Sequence, residues 1–555
     1  MRPIRPLLLG LLLLACDGGE EPSDAGPLDD AAAADSGPAD AGPSDAGPPP
    51  LPDVCDELGL PKRPFEPGGD GSTWEETAGD FTVQTLDGPW TLSEQWSGCE
   101  SYVFFNYFES GYGDGLWGTA PDELFSMGPR NVHYFFTSYE TDPAAARARV
   151  EGVRDALEEG FDFLSVPEEE RRFWRARFHF VVEPLQTVGG SIGQLVSGTR
   201  SVLFGFAITR QQRFDPVGVL SELRGGGWAP NLRMARYLGP YYDYLHDLDA
   251  RLEADTDATV LPILEETGVT ERILDRTVTL PDAATMAGFD EMQIDLEVIC
   301  RADNLGDCSE WDRIGSIQLC VASDCAERDE IARWITPYAR NGRRRWILDV
   351  TPFLGLVQDG GERTIRVAMG PPWEEPTVRD VNVRLRLATR GADDRPFAVQ
   401  RAFRGGAWNA DYNTREPVTF TPPAGATRVE LVSIISGHGQ GGGTNCAEWC
   451  DHVHDFALNG GAPHTVSFPG EAGTRDGCAD RTGEGVVPAQ GGNWAPLRAG
   501  WCPGLPVPTR RMDLTSELDL GAESSLTYTS SYRGGEPPGG ENVMVDLSSY
   551  LVFYR

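Results

Sequence analysis

The sequence predicts a multidomain chain in which an α/β segment precedes two all-β jelly-roll sandwiches. Three observations predict it. Residues 55–265 set unbroken apolar strand-like runs beside a helical stretch. From about Thr277 apolar and polar residues alternate strictly. From there to the C-terminus, short alternating runs are separated by Gly and Pro turns. With 555 residues, 40% of them hydrophobic, the chain has room for about three domains.

Residues 1–16 carry Arg2 and Arg5 ahead of a leucine run, Leu7 to Leu14. That run is too short to span a bilayer and suits a secretory signal. It ends in Leu14-Ala15-Cys16, which resembles a bacterial lipobox. Cys16 is then the expected lipid anchor, and the chain is expected to be an exported bacterial lipoprotein facing the periplasm or the cell exterior. The alternative is an ordinary signal with a chance cysteine. Residues 17–54 are mostly Asp, Ala, Gly, Pro and Ser, with Asp-Ala-Gly-Pro beginning at Asp24, Asp40 and Asp45. Such a composition buries no core and reads as a disordered acidic tether. Extended at roughly 3.1 Å per residue, it reaches on the order of 100 Å.

The formal net charge of −38 excludes a nucleic-acid binder, which needs basic surface. Of the 11 cysteines, ten remain once Cys16 is set aside. They fall into close pairs: Cys300 with Cys308, Cys320 with Cys325, and Cys446 with Cys450. Cys478 with Cys502 and Cys55 with Cys99 complete five expected bridges, the usual state in an oxidising compartment. No Cys-x2-Cys pair occurs, so the expectation is that no metal is bound.

Within 55–265, Phe81 to Gly88 reads as a strand and turn. Val103 to Phe108 and Asn131 to Phe136 read as buried strands, and Asp142 to Gly160 as a helix capped by Asp142 with Pro143 in its first turn. Phe81 to Tyr107 resembles the start of thioredoxin-like or peroxiredoxin-like domains. The redox Cys-x-x-Cys expected of them is absent, and Glu109-Ser110-Gly111-Tyr112 stands in its place. A docking or spacing role is expected instead. Farther on, Met292, Ile294, Leu296 and Val298 alternate with Glu291, Gln293, Asp295 and Glu297. Val381, Val383, Leu385 and Leu387 repeat the pattern. These are expected to be half-buried strands of two sandwiches, 273–393 and 396–555.

Two segments answer each other across that boundary: Cys308-Ser309-Glu310-Trp311-Asp312-Arg313 and Cys446-Ala447-Glu448-Trp449-Cys450. Each sets a carboxylate beside a tryptophan. A flat apolar ring next to a carboxylate suits holding and attacking a sugar, so the second half reads as a glycan-cleaving enzyme.

With Ile335-Thr336-Pro337-Tyr338, Asp349-Val350-Thr351, Ile435-Ser436-Gly437, Asn493-Trp494-Ala495-Pro496, Arg498 to Gly504 and Val507-Pro508-Thr509-Arg510, these segments resemble, in order, the peptide-N-glycosidase F family over about 273–555. The resemblance implies two packed jelly rolls and hydrolysis of the amide between an asparagine side chain and the first N-acetylglucosamine of an N-glycan, without metal or cofactor. It puts Asp312 on the catalytic aspartate and Glu448 on a second key carboxylate. Arg313, Trp311, Trp373, His438, Gln440, Arg498 and Trp501 become candidate substrate contacts. Expected partners are N-linked glycopeptides or glycoproteins, with the chain itself a monomer.

The pattern departs in two places. Pro371 stands where the family has a third glutamate, with Glu374 and Glu375 just beyond as candidate substitutes. His438 and Gln440 stand in a glycine-rich loop where the family has a glycan-contacting Trp and His. Retained chemistry with altered glycan preference is expected. Rival readings are a glycan-binding protein with a dead site, and a glycosidase using Asp312 and Glu448 as a carboxylate pair. Asp312–Arg313 also reads as a structural ion pair, and Trp373, Trp494 and Trp501 as core. His452 and His454 share a strand face and could bind copper, but with only seven histidines a copper enzyme is not expected.

Overall fold

The computed structural model describes residues 51–555 other than 225–226, 302–307, 375–376, 440–446 and 541. The expected signal, the Cys16 anchor, nearly all of the tether, Gln440, Cys446 and Glu375 lie outside the described residues. The chain is multidomain and mostly β, with several sheets. Residues 51–555 form one compact unit, which opens on a short helix, Val54–Leu58, capped by Asp53.

A seven-stranded sheet organises the N-terminal part. Its strands are β1 (Thr82–Thr85), β2 (Gly88–Thr91), β3 (Ser101–Tyr107), β4 (Val132–Ser138), β5 (Phe178–Pro184), β6 (Gly205–Ile208) and β7 (Phe214–Pro216), in spatial order β2-β1-β5-β4-β3-β6-β7. β3, β4 and β5 run parallel, while β6 is antiparallel to β3 and to β7. Every residue of β3 and β4 is buried. Val103 and Phe105 pack into one core and Tyr102 and Phe104 into another on the opposite face, which is why these strands read as unbroken apolar runs. The expected helix spans Pro143–Phe163, with the Asp142 carboxylate accepting from the Ala144 N–H. Cys55–Cys99 closes this part. A hairpin of β8 (Ser221–Arg224) and β9 (Gly227–Pro230) and a helix, Leu238–Ala254, lead out of it.

Two pairs of antiparallel sheets follow. The first comprises β10 (Thr259–Val269), β11 (Ile273–Asp282), β12 (Glu291–Cys300), β13 (Ile314–Cys320), β14 (Arg328–Ile335), β15 (Gly342–Asp349), β16 (Gly360–Ala368) and β17 (Arg379–Ala388). The second comprises β18 (Pro396–Ala407), β19 (Val418–Phe420), β20 (Arg428–His438), β21 (His452–Leu458), β22 (Pro463–Val466), β24 (Thr509–Asp513), β25 (Ser524–Tyr532) and β26 (Met544–Tyr554), with β23 (Leu505–Pro506) between β22 and β24 in the chain. The sheet orders are β10-β17-β12-β15 and β11-β16-β13-β14-β23, then β18-β26-β20-β24 and β19-β25-β21-β22. β23 crosses over: although it lies in the second half, it pairs with the end of β14, Trp334 opposite Pro506 and Ile335 opposite Leu505. That crossing ties the chain just after Arg498 to the chain just before Tyr338.

Two expectations change. β10 begins at Thr259 and pairs with β17 from Leu387 onward, so the sandwich starts before residue 265. The alternating face of β12 is also not exposed, since Asp295 and Glu297 are both buried. Arg345 donates to both oxygens of Asp295 at 2.8 and 2.6 Å, and Arg343 donates to Glu297 at 2.7 Å. The same two guanidiniums reach Asp249 on the helix Leu238–Ala254 at 2.6–2.8 Å. The carboxylates that look like a solvated face are an ionic layer under a helix. Disulfides form at Cys300–Cys308, Cys320–Cys325 and Cys478–Cys502, and Cys450 is disulfide-bonded.

The Asp249 carboxylate is the one acidic group of the helix Leu238–Ala254 that holds both guanidiniums. Asp249→Ala leaves Arg343 and Arg345 partly unpaired in a buried layer, and is expected to cost about 2–4 kcal/mol. A fall in the urea midpoint checks this, and an unchanged midpoint contradicts it.

Candidate active site

Asp312 sits in the loop between Cys308 and β13, held on the end of β14. The Arg313 N–H donates to the Thr336 hydroxyl at 2.7 Å, that hydroxyl donates to the Trp311 carbonyl at 2.9 Å, and the Ala339 N–H donates to the Ser309 carbonyl at 2.7 Å. Because the stretch is not extended strand, residues 312 and 313 need not face opposite ways. Glu448 comes from the other sandwich, in the turn between β20 and β21. Ala447 beside it has φ +95°, and a Cβ on Gly437 would lie 1.9 Å from the Ala447 carbonyl oxygen. Only glycine allows β20 and this turn to approach so closely.

The two carboxylates meet on one guanidinium. Arg498 Nε donates to Glu448 at 3.3 Å, and Arg498 Nη2 lies 3.7 Å from Asp312. The arginine side chain is 0% exposed, those of Asp312 and Glu448 16% and 12%. Arg498 Nη2 also donates to the Tyr338 hydroxyl at 3.1 Å and Nη1 to the Pro496 carbonyl at 2.9 Å, while its plane lies 4.3 Å from the Trp449 ring centroid. Tyr338 in turn hydrogen-bonds Asp312.

Burial pushes the Asp312 carboxyl above its ordinary range, opposed by the charge of Arg498, the Tyr338 hydroxyl and Arg313. Burial and the neighbouring Asp312 charge push Glu448 up to about 7, with Arg498 again opposing. Two carboxyls that share one cation and little water do not ionise independently, so the pair titrates as a unit.

The other candidates divide sharply. Trp311 and Trp373 are 49% and 72% exposed, so both offer a ring face to a ligand. Trp311 meets Tyr338 edge-on, and the Arg313 guanidinium lies 5.0 Å from the Trp373 ring centroid. Glu374 bridges Arg313 at 3.0 Å and Arg272 at 3.3 Å, so a carboxylate does stand near Pro371. Trp501 and Arg498 need correction as substrate contacts, because both are buried, whereas His438 is partly exposed. Trp501 is 1% exposed, donates to the Gly437 carbonyl at 3.0 Å and packs on His438. Burial lowers His438 to about 3, leaving it neutral, and its Nε2 bonds Ser436 at 2.8 Å. Arg498 meets both carboxylates, and the Trp501 ring lies beside that arginine. His452 and His454 are buried and bond one another at 2.6 Å, with the Tyr528 hydroxyl beyond at 2.8 Å.

Tyr338 stands in the motif Ile335-Thr336-Pro337-Tyr338, where residue type and spacing announce no role for it. The signal was the Thr336-Pro337-Tyr338 turn at the end of β14, which the loop carrying Asp312 grips.

Residues 408–552 match the family model described as Peptide-N-glycosidase F, C terminal. Over 236 residues the chain is 29% identical to peptide-N(4)-(N-acetyl-beta-D-glucosaminyl)asparagine amidase F of Elizabethkingia miricola, a match covering 40% of this chain and 63% of that protein. The chain thus spans less than two thirds of that relative. Among solved structures, it is similar to a crystal structure of a peptide-N(4)-(N-acetyl-beta-D-glucosaminyl)asparagine amidase, with 22% identity, a TM-score of 0.43 and coverage of 54% of this chain and 96% of that one. It is also similar to PNGF-II, with 14% identity, a TM-score of 0.42 and coverage of 56% and 67%. The resemblance read from the motifs is to this same family.

A raised folded-state pKa means that the folded chain holds its proton more tightly than the unfolded chain does. Glu448 therefore contributes stability that is complete below about 4.5 and lost as pH rises through about 7. Glu448→Gln escapes that loss. Its thermal midpoint is expected to match the wild type at pH 4 and exceed it at pH 8.5, by on the order of 2–3 kcal/mol in stability. A variant less stable than wild type at pH 8.5 contradicts the sign.

Proposed function

We propose that this chain hydrolyses the amide joining an asparagine side chain to N-acetylglucosamine in N-glycopeptides or N-glycoproteins. The observation that carries the reading is the buried Arg498 guanidinium, which meets a carboxylate from each β-sandwich part on residues that match the family's motif. The relative from Elizabethkingia miricola bears this activity in its name.

In this reading Asp312 takes a proton from water as the water oxygen bonds to the side-chain amide carbon. Arg313, half-buried beside Trp373, donates to the amide oxygen as charge gathers there. The carbon–nitrogen bond then breaks, and the proton passes from Asp312 to the departing nitrogen. The products are an aspartate and a glycosylamine. Glu448, ionised, orients the water or the core sugar, with Trp311 and Trp373 as sugar platforms. Glu374 serves where the family has a glutamate at the position of Pro371, because it fixes Arg313. Glycan selection falls to Trp311, Trp373 and residues of the glycine-rich loop such as His438 and Gln440.

We read the two sandwiches as jelly rolls. The segment from residue 55 to the start of β10 is read as thioredoxin-like without redox chemistry. Its support is the parallel β3-β4-β5 set with antiparallel β6 and β7 added beside β3. Cys16 anchors an exported bacterial lipoprotein, a monomer that works on a long tether. No helix among the described residues is long and apolar enough to cross a membrane.

The test incubates purified protein with a glycopeptide and weighs the products. The amidase yields a peptide heavier by about one mass unit than its asparagine form, the side-chain amide having become an acid. A peptide retaining one sugar means a glycosidase, and binding without change means a lectin; either overturns the reading. Asp312→Asn is expected to lower kcat by about three orders of magnitude or more while leaving the fold intact by circular dichroism. In the wild type, kcat is expected to fall as pH drops through about 7, where Glu448 takes up its proton. Glu448→Gln should flatten that limb, and a limb that persists in the variant assigns it elsewhere.

A further inference from the structure

The loop that carries Arg498 has little regular structure of its own. Between Arg475 and Gly504 the structure has one 3-10 turn, Ala479–Glu484, and one disulfide, Cys478–Cys502. One side of this loop is the candidate active site. The Gly491 N–H donates to the Tyr338 carbonyl at 3.1 Å, Gln490 Oε1 accepts from the Tyr338 N–H at 2.9 Å, and Arg498 reaches Asp312 and Glu448.

The other side is gripped by the N-terminal α/β part. Arg233 forks onto Asp476 with bonds of 3.2 and 3.0 Å, and Arg475 answers by donating to the buried Glu222 at 2.9 Å. The Val219 N–H donates to the Ala489 carbonyl at 2.8 Å. Ala489 holds φ +53°, a left-handed conformation that needs an outside restraint in a residue other than glycine. Asp215 pairs with the buried Arg340 at 2.9 Å, and Arg340 Nε donates to the Pro488 carbonyl at 3.2 Å. Tyr237 meets Trp494 edge-on. The contacts run along the loop from 475 to 494 and stop four residues short of Arg498.

We propose that the α/β part is a positioning component of the active centre: through Arg233 on Asp476 and Val219 on Ala489 it fixes the 475–504 loop, and so holds the Arg498 guanidinium between Asp312 and Glu448. The inference rests on the amidase reading for its kinetic consequence, though not for its geometry. It gives the α/β part, which lacks a redox motif, a function of its own. Arg233 and Asp476 touch no substrate in this scheme and act only through the arginine. A charge placed wrongly by about 1 Å can cost up to a hundredfold in rate, so a loosened loop should show in kcat more than in KM.

Asp476→Asn weakens the fork while leaving Arg233 its bond to Glu222. Gly218→Ala acts from the other direction, against the Ala489 carbonyl and the side chain of Arg340. Gly218 has φ +78°, and a Cβ there would lie 2.4 Å from the Ala489 carbonyl oxygen, pressing the loop outward. For each variant we would measure kcat and KM on a glycopeptide, the pH profile of kcat, and the 13C titration of the Glu448 carboxyl. That carboxyl faces the Asp312 carboxylate, the Arg498 guanidinium and the Tyr338 hydroxyl. As the guanidinium retreats, the two carboxylates lose their shared cation. The expected result is a roughly tenfold fall in kcat with KM within about twofold. The acid limb and the carboxyl titration should both move up by about half a unit or more, and a merely structural role would move neither.

Folded variants with unchanged kcat and unchanged titration overturn the proposal. If Asp476→Asn does not fold, Gly218→Ala decides. If the wild type releases no glycan, the amidase reading fails and the carboxyl titration alone decides the positioning role.

Discussion

One buried arginine organises the second half of this molecule. Arg498 has no exposed surface, yet it carries a full charge into the interior, which is tolerable only with partners on every side. Asp312, Glu448, the Tyr338 hydroxyl and the Pro496 carbonyl supply them, with the face of Trp449 closing the shell. Remove the cation and two acids would share a dry crevice, and one would stay protonated. With the cation present, the charged form of each is favoured against the burial that opposes it. The arginine therefore biases the groups that meet solvent toward their charged forms, while the Trp501 ring lies beside it.

The second constraint is the crossing of β23 into the first sandwich. A residue from the 396–555 segment can meet Asp312 only if the two halves are held in register. Two residues of β-pairing at the end of β14 do this beside Tyr338, and the Cys478–Cys502 bridge closes the same loop. The α/β part then bears on that loop from outside. The site is thus composed by three stretches of sequence that are far apart in the chain and share few local signals.

Much of this was legible beforehand, for physical reasons. β3 and β4 announced themselves because strands covered on both faces have no polar side to show. The helix Pro143–Phe163 was marked by Asp142 and Pro143 at its start and differs by three residues at its end, where no glycine or proline stops it. Of the five expected cysteine pairs, four are bonded as paired; Cys450 is disulfide-bonded, and Cys446 lies outside the described residues. The failures share a cause. Glu291 to Glu297 alternate like a wet face, but Arg343 and Arg345 neutralise that face against Asp249, a partner more than 40 residues away. Trp501 looks like a ligand-reading group in sequence, and only its burial reveals that it supports the site. Tyr338 carries no chemical signature of its own and becomes important through what grips it. The sequence offers residue types and spacings, whereas coverage of a face is a tertiary fact.

The ionic layer over β12 and the buried arginines have a consequence for how the molecule meets others. Arg210, Arg333, Arg340, Arg379 and Arg498 are fully buried, so their positive charges serve interior carboxylates and carbonyls. A chain of net charge −38 that withdraws its cations in this way wears an envelope more anionic than its composition suggests. Anionic molecules are repelled by it at a distance, and dissolved salt eases their approach once the screening length drops below about 10 Å.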